Sequence, residues 1–247
     1  MEYAPVRFMS TGAGKGLYAV NLSYEYIATL TPALLAGLLE TLKLFALTLL
    51  LSLPLGLPIA LGSISRFKPL QLLCKFYVWL FRGTPLMLQL FFFYYGLGII
   101  ANTNNLLFLR FDRFPAAVLT FTLNYAAYFA EIYRAGIQSI DKGQYEAAKT
   151  LGFTREQTML KIIIPQTIRR IIPPVSNETI TLVKDTALVN VIAVQEMLKV
   201  AKDAANRDTD TTAFLLAAVG YLLVTFVLTM LSRYLERRFS RHEQEAV

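Results

Sequence analysis

The chain has 247 residues, of which 55% are hydrophobic and 17% charged, with a formal net charge of +7. Several apolar runs approach or exceed bilayer-crossing length, which marks an integral membrane protein; the alternating strands of a membrane barrel are absent, so its spans are helical. A single cysteine, Cys74, excludes an internal disulfide framework and a cysteine-based metal cluster, and the only histidine, His242, lies in the tail, which argues against a serine–histidine protease. The positive balance fits Lys and Arg gathered at cytosolic helix ends rather than nucleic-acid binding.

Residues 1–30 are mixed, with Arg7, Lys15, Asn21 and Glu25 interrupting any apolar core, so they predict an external or interfacial arm and no signal peptide. The Gly12-Ala13-Gly14-Lys15-Gly16 run lacks the first glycine of a phosphate loop, Met9 standing in its place. Residues 18–29 predict an amphipathic interfacial helix. The transmembrane domain then occupies 31–240. Its first span, at about 33–61, would reach roughly 40 Å against a hydrocarbon core of about 30 Å. It must tilt or bend, with Pro54 and Pro58 as bend points and Glu40 paired with Lys43.

A second span at about 76–100 contains Arg82-Gly83-Thr84-Pro85. Gly83 and Pro85 loosen the hydrogen-bond ladder while Thr84 can satisfy a freed carbonyl. Two readings stand: a broken helix lining a cavity, or a packing kink with Arg82 reaching the interface. Residues 101–114 predict an external polar loop. The third span, about 115–136, places Asn124, Tyr128 and Glu131 on one helix face, and the fourth, about 171–198, does the same with Glu178, Thr181 and Asp185, flanked by Asn177 and Lys184. Charges at mid-bilayer cost roughly 3 kcal/mol or more, so these side chains face protein or water. They either line a path or pair with one another, Lys184 or Arg82 neutralising Asp185 or Glu178. Residues 199–212 predict a second external loop, 213–231 an uncharged fifth span, and 241–247 a short tail.

Between the third and fourth spans lies a polar segment, 141–170, unable to cross a bilayer. Tyr145, Ala148 and Gly152 follow helical spacing, and Gly152 falls where a left-handed C-terminal cap belongs. Thr154 with Gln157 reads as a capping box opening a second short helix, which Pro165 should interrupt. Two amphipathic helices on a membrane protein's surface suit a docking knob.

The spacing Glu146-Ala147-Ala148, three residues, Gly152, nine residues, Ile162-Ile163-Ile164-Pro165 resembles the coupling-loop signature of bacterial ATP-binding-cassette importer permeases, with Ile164 in place of leucine as the one departure. Arg82 to Pro85, Asn177-Glu178 and Lys184-Asp185-Thr186-Ala187-Leu188 resemble its polar amino-acid branch of the histidine, glutamine and arginine type, although Ala187 is often serine there. The resemblance implies an all-α, type I importer permease fold of five transmembrane helices with a cytosolic coupling helix between spans 3 and 4. It implies that Tyr145, Glu146, Ala147, Ala148, Leu151, Gly152 and Pro165 serve coupling to a separate cytosolic ATPase. It also implies a second permease subunit, identical or related, and an extracytoplasmic amino-acid-binding protein. This chain would bind no cofactor, ATP and Mg being held by the ATPase. Arg82, Asn124, Tyr128, Glu131, Asn177, Glu178, Thr181, Lys184 and Asp185 are its candidate pathway residues. Carboxylates at 131, 178 and 185 would favour a ligand with an amino group. With the knob in the cytosol, its Lys and Arg and those of the tail (Arg233, Arg237, Arg238, Arg241) lie inside, which orients the chain N-terminus out and C-terminus in within a bacterial inner membrane. Scattered span carboxylates leave an ion- or proton-coupled secondary transporter or channel as the alternative, though no internal repeat supports it.

Overall fold

The computed structural model describes residues 20, 22–104, 106 and 110–240, and among them it is helical throughout, with no strand. The expectations for residues 1–19 and for the 241–247 tail fall outside the described residues.

Helix α1 runs from Tyr24 to Ser63, and its Ser23 cap accepts from the Tyr26 amide. Helical structure therefore begins well before residue 33, and residues 24–29 belong to this helix rather than to a separate one. The helix passes through Pro32, Pro54 and Pro58 without a break. At about 1.5 Å per residue its 40 residues reach roughly 60 Å, so it extends beyond any one hydrocarbon core. Gly37, Thr41, Thr48, Ser52, Gly56 and Ala60 recur on its buried side. Small side chains at helical spacing let backbones approach closely where dispersion, not hydrophobicity, drives association. Helix α4 (Arg113–Gln138) uses that allowance, its Ala126, Ala127, Phe129 and Ala130 being buried. A Cβ added at Gly56 would lie 3.0 Å from Phe129 Cβ and 3.1 Å from the Ala130 amide.

The second expected span is two helices, α2 (Lys68–Gly83) and α3 (Leu86–Thr103). They part at Thr84 and Pro85, both extended. The cause is local. Pro85 has no N–H for the Phe81 carbonyl four residues back. That carbonyl instead accepts from Gln89 Nε2 at 2.9 Å and Asn124 Nδ2 at 3.1 Å. Gln89 Nε2 also lies 3.1 Å from the Thr84 carbonyl and 2.8 Å from Thr84 Oγ1, while its Oε1 accepts from Asn124 at 3.0 Å. Carbonyls only accept, so both amide nitrogens must face them. Thr84 donates its hydroxyl to the Leu80 carbonyl at 2.8 Å. The network closes with Gln89 and Asn124 8% and 4% exposed.

Past α4, helix α5 (Lys142–Thr150) is capped by Asp141, whose carboxylate accepts from the Gly143 amide at 2.6 Å. Helix α6 then occupies 155–185 as one continuous rod: Arg155–Thr158, a π-helical turn Met159–Ile163, and Ile164–Asp185. Pro165 was expected to interrupt this helix, and it does not. In the widened turn Ile164 donates back to the Met159 carbonyl, where a regular α-turn would drive the proline ring into the Lys161 carbonyl. A 3₁₀ segment, Thr186–Ile192, ends at left-handed Ala193. The expected external loop 199–212 is largely helix α7 (Met197–Asp208), and α8 (Thr212–Ser240) closes the chain.

Two cores result, and α1 contributes to both. One gathers Leu44, Leu90, Phe121, Tyr125, Phe129, Leu182 and Ile192; the other packs Leu30 and Leu34 against Met197, Ala201, Ala213 and Ala217. Glu196 caps α7 from full burial, accepting from the Leu198 and Lys199 amides and from the Tyr221 hydroxyl at 2.7 Å. At the far end of α7 the Tyr26 hydroxyl donates to Asp208 at 2.9 Å. Arg207, with that hydroxyl, holds the Asp208 carboxyl down at about 2, so the tie stays ionised at any working pH. Among the described residues, three helices are long and apolar enough to cross a membrane: α1, α3 and α8. Helices α4 and α6 are less apolar in composition, with Glu131 and Arg134 on the one and Glu178, Lys184 and Asp185 on the other.

The break network predicts a graded result. Asn124 donates to the buried Gln89 Oε1, and leaving such an oxygen unpaired costs about 1–3 kcal/mol. Asn124→Asp, isosteric but unable to donate when ionised, should lower unfolding stability in detergent as much as Asn124→Leu does; wild-type stability in the aspartate variant would refute the donor role. Gly56→Val should cost roughly 1–3 kcal/mol in the same assay by overpacking, whereas Gly98→Ala, with open space around it, should stay near wild type.

Candidate functional site

Two groups of side chains stand apart from packing. The first is the surface unit formed by α5 and the start of α6. Gly152 adopts φ +77°, the Phe153 amide donates to the Ala148 carbonyl and the Gly152 amide to the Lys149 carbonyl, each at 3.0 Å. Those two bonds are a Schellman stop, and they need a left-handed residue at position 152. Thr154 and Gln157 then cap each other reciprocally, at 3.2 Å and 3.0 Å. The turn is thus hydrogen-bonded on both sides, which makes the α5–α6 angle stiff. Ala148 is buried under it, while Glu146 and Ala147 are exposed, Tyr145 half-buried, and Leu151 is 74% exposed. Pro165 is exposed on α6 beyond the widened turn.

This unit is fastened to the body of the protein. Gln166 Nε2 meets Gln144 Oε1 at 3.2 Å. Arg170 donates to the Ser139 carbonyl at the end of α4. Gly136 lets α4 approach α6 so closely that a Cβ there would collide with Ile171.

The second group lies where α2 ends against α4, within Coulombic reach of α6. The three residues of the α4 stripe all face the end of α2. Asn124 is committed to the helix break. Tyr128 presents its ring to the Arg82 guanidinium, 5.2 Å from the centroid. Glu131 sits 3.9 Å from Arg82 and is held by Arg134 through two bonds of 2.9 Å and 2.5 Å. Arg82 therefore pairs with Glu131, not with Glu178 or Asp185 as one reading of the sequence suggested.

On α6 the stripe divides. Asp185 accepts the Tyr125 hydroxyl at 2.8 Å. Thr181 donates back to the Asn177 carbonyl at 3.1 Å, a local bond. Lys184 is exposed and makes no ion pair with Asp185 among the described residues. Glu178 also has no hydrogen bond or ion pair among the described residues, although Asp185 and Arg82 lie within Coulombic reach. The arrangement leaves a carboxylate without a fixed partner beside a second one held by a tyrosine, and an arginine only half neutralised on the facing helix. Such a set can meet an ammonium and a carboxylate at once.

Sequence reasoning passed over Gln89, Arg134 and the weight carried by Tyr125. Gln89 was detectable as the one amide within the apolar run 86–101, and Arg134 by its i, i+3 spacing from Glu131.

Residues 52–241 match the family described as binding-protein-dependent transport system inner membrane component. The L-cystine transport system permease protein TcyB of Bacillus subtilis (strain 168) is 38% identical over 213 residues, covering 85% of this chain and 88% of the relative. The arginine transport system permease protein ArtQ of the same organism is 36% identical over 225 residues, covering 91% and 100%. Among solved structures, an amino acid ABC transporter described with histidines superposes with a TM-score of 0.81 at 34% identity, covering 89% of this chain and all of that one. The chain belongs to the inner-membrane permease family of binding-protein-dependent transport systems, and its relatives there are permeases of amino-acid ABC transporters.

Proposed function

We infer that this chain is the membrane pathway subunit of an ATP-driven importer for polar amino acids. The observation that carries the reading is the exposed α5 foot, stopped rigidly at Gly152 and continuous through α6 with the polar group at Glu178 and Asp185. A separate cytosolic ATPase, holding ATP and Mg, would receive the Glu146–Gly152 surface in a groove. Its closure would be transmitted along α6 without loss in a flexible joint. A two-state change of the pathway requires such differential contact at a rigid element. A second permease, identical or related, would complete the pathway, and an extracytoplasmic binding protein would deliver the solute.

The topology that goes with this role has five crossings in a bacterial inner membrane, N-terminus outside and C-terminus in the cytosol. Helices α4 and α6 then cross as the polar, inward-facing pair, consistent with their lower apolarity. Relatives named for cystine and arginine support a zwitterionic or basic amino acid. Glu178 and Asp185 suit its amino group, and Arg82 with Lys184 its carboxylate.

Glu146→Lys and Gly152→Asp should each abolish amino-acid uptake in cells while membrane insertion, read by immunoblot, is unchanged. At Gly152 the left-handed backbone costs an L-residue about 1–2 kcal/mol, less for asparagine, so Gly152→Asn should retain more uptake than Gly152→Val. Uptake that continues without the ATPase, driven by a proton gradient, would instead establish a secondary transporter. In the reconstituted complex, Glu178→Gln and Asp185→Asn should alter the stimulation of ATPase activity by substrate. An unchanged response in both would return these carboxylates to a structural role.

A further inference from the structure

Where the last turns of α8 pass the first half of α6, a cleft of about 500 Å³ is lined by Arg169, Leu235, Arg238 and Phe239. Among the described residues neither guanidinium makes an ion pair, and Glu236, the carboxylate of the same turn, does not line the cleft. Two unneutralised arginines from different helices flank one opening. Below it, Val227, Leu231, Leu235 and Phe239 recur every fourth residue, all exposed, forming one apolar stripe along α8. The stripe leads from the cleft into the apolar part of α8, one of the described helices long and apolar enough to cross a membrane.

We propose that this cleft binds the headgroup of an anionic phospholipid, with a phosphodiester between Arg169 and Arg238 and an acyl chain along the α8 stripe. The planar guanidinium matches phosphate oxygens in paired hydrogen bonds, and zwitterionic headgroups offset that attraction with their own ammonium. The apolar stripe selects a lipid over a free phosphate, which would have no use for it. Occupancy would bridge α6, the rod bearing the coupling foot, to α8, and so make the stiffness of that pairing depend on the composition of the surrounding leaflet. The site stands on its own geometry and does not require the importer reading to hold.

The test uses the full chain purified from membranes into nanodiscs of phosphatidylcholine with or without phosphatidylglycerol, with retained lipids identified by native mass spectrometry. Direct guanidinium–phosphate hydrogen bonds in the cleft add to the general attraction of surface charge, so Arg169→Gln with Arg238→Gln should reduce phosphatidylglycerol retention roughly 30-fold. A control pair of equal charge loss outside the cleft, Arg233→Gln with Arg237→Gln, should retain it within about twofold of wild type. Equal losses in the two pairs would reduce the effect to general surface charge and overturn the site. So would equal retention of phosphatidylcholine. Displacement of phosphatidylglycerol by millimolar inorganic phosphate would also overturn the lipid assignment and identify a soluble anion as the occupant. Circular dichroism of both double variants separates lost binding from lost fold.

Discussion

A carbonyl inside a membrane protein cannot turn to water when its helical partner is missing. This constraint governs the junction of α2 and α3. Pro85 removes the donor owed to Phe81, and the chain breaks only because Gln89 and Asn124 bring amide hydrogens to the orphaned oxygens. The break in turn ends α2 at Gly83, leaving Arg82 on its final turn over Tyr128 and beside Glu131. Without the two amides an unpaired carbonyl would remain in apolar surroundings, a cost comparable to much of the packing around it. The position of the arginine is therefore a consequence of backbone accounting.

Prolines elsewhere meet the same constraint differently. Pro165 is absorbed by a π-helical turn, so no side chain has to intervene and the helix continues. That difference has mechanical meaning. At α2–α3 the chain changes direction at a hydrogen-bonded corner, whereas α6 stays a single rod of roughly 45 Å from Arg155 to Asp185. One end of the rod carries the capped α5 turn and the other the carboxylates facing Tyr125 and Arg82. Helix runs unbroken between the two, with Arg170 and Gly136 tying the same rod to α4.

Helix α1 supplies the frame against which this rod sits. Its small residues admit α4 along much of its length, and its N-terminal half packs α7 through a second, separate core. The outward sides of α1 and α8 remain apolar and exposed, as lipid-facing or subunit-facing surfaces must be. The last turns of α8 depart from this, where arginines succeed leucines beside α6, as does the Glu40–Lys43 pair on α1.

Much of this was readable from residue order alone. Apolar run lengths identified a helical membrane protein, and the stop at Gly152 and the Thr154–Gln157 box followed from cap chemistry, which depends on near neighbours. The spacing from Glu146 to Pro165 pointed to the permease family. The partners of Asn124, Arg82 and Asp185 were not readable, because each lies 43 to 60 residues away or depends on which of several nearby charges the packing selects. Continuity through Pro165 also escaped, since a proline breaks a helix or widens one turn according to the support around it. The helix at 197–208 escaped too: its polar composition resembles a loop until Glu196 caps it and α1 covers its alanines. The sequence alone determined what depends on local rules, namely length, capping and the motif. Tertiary structure decided which polar groups are paired and which stay open, because pairing inside a low-dielectric bundle is settled by distance between helices.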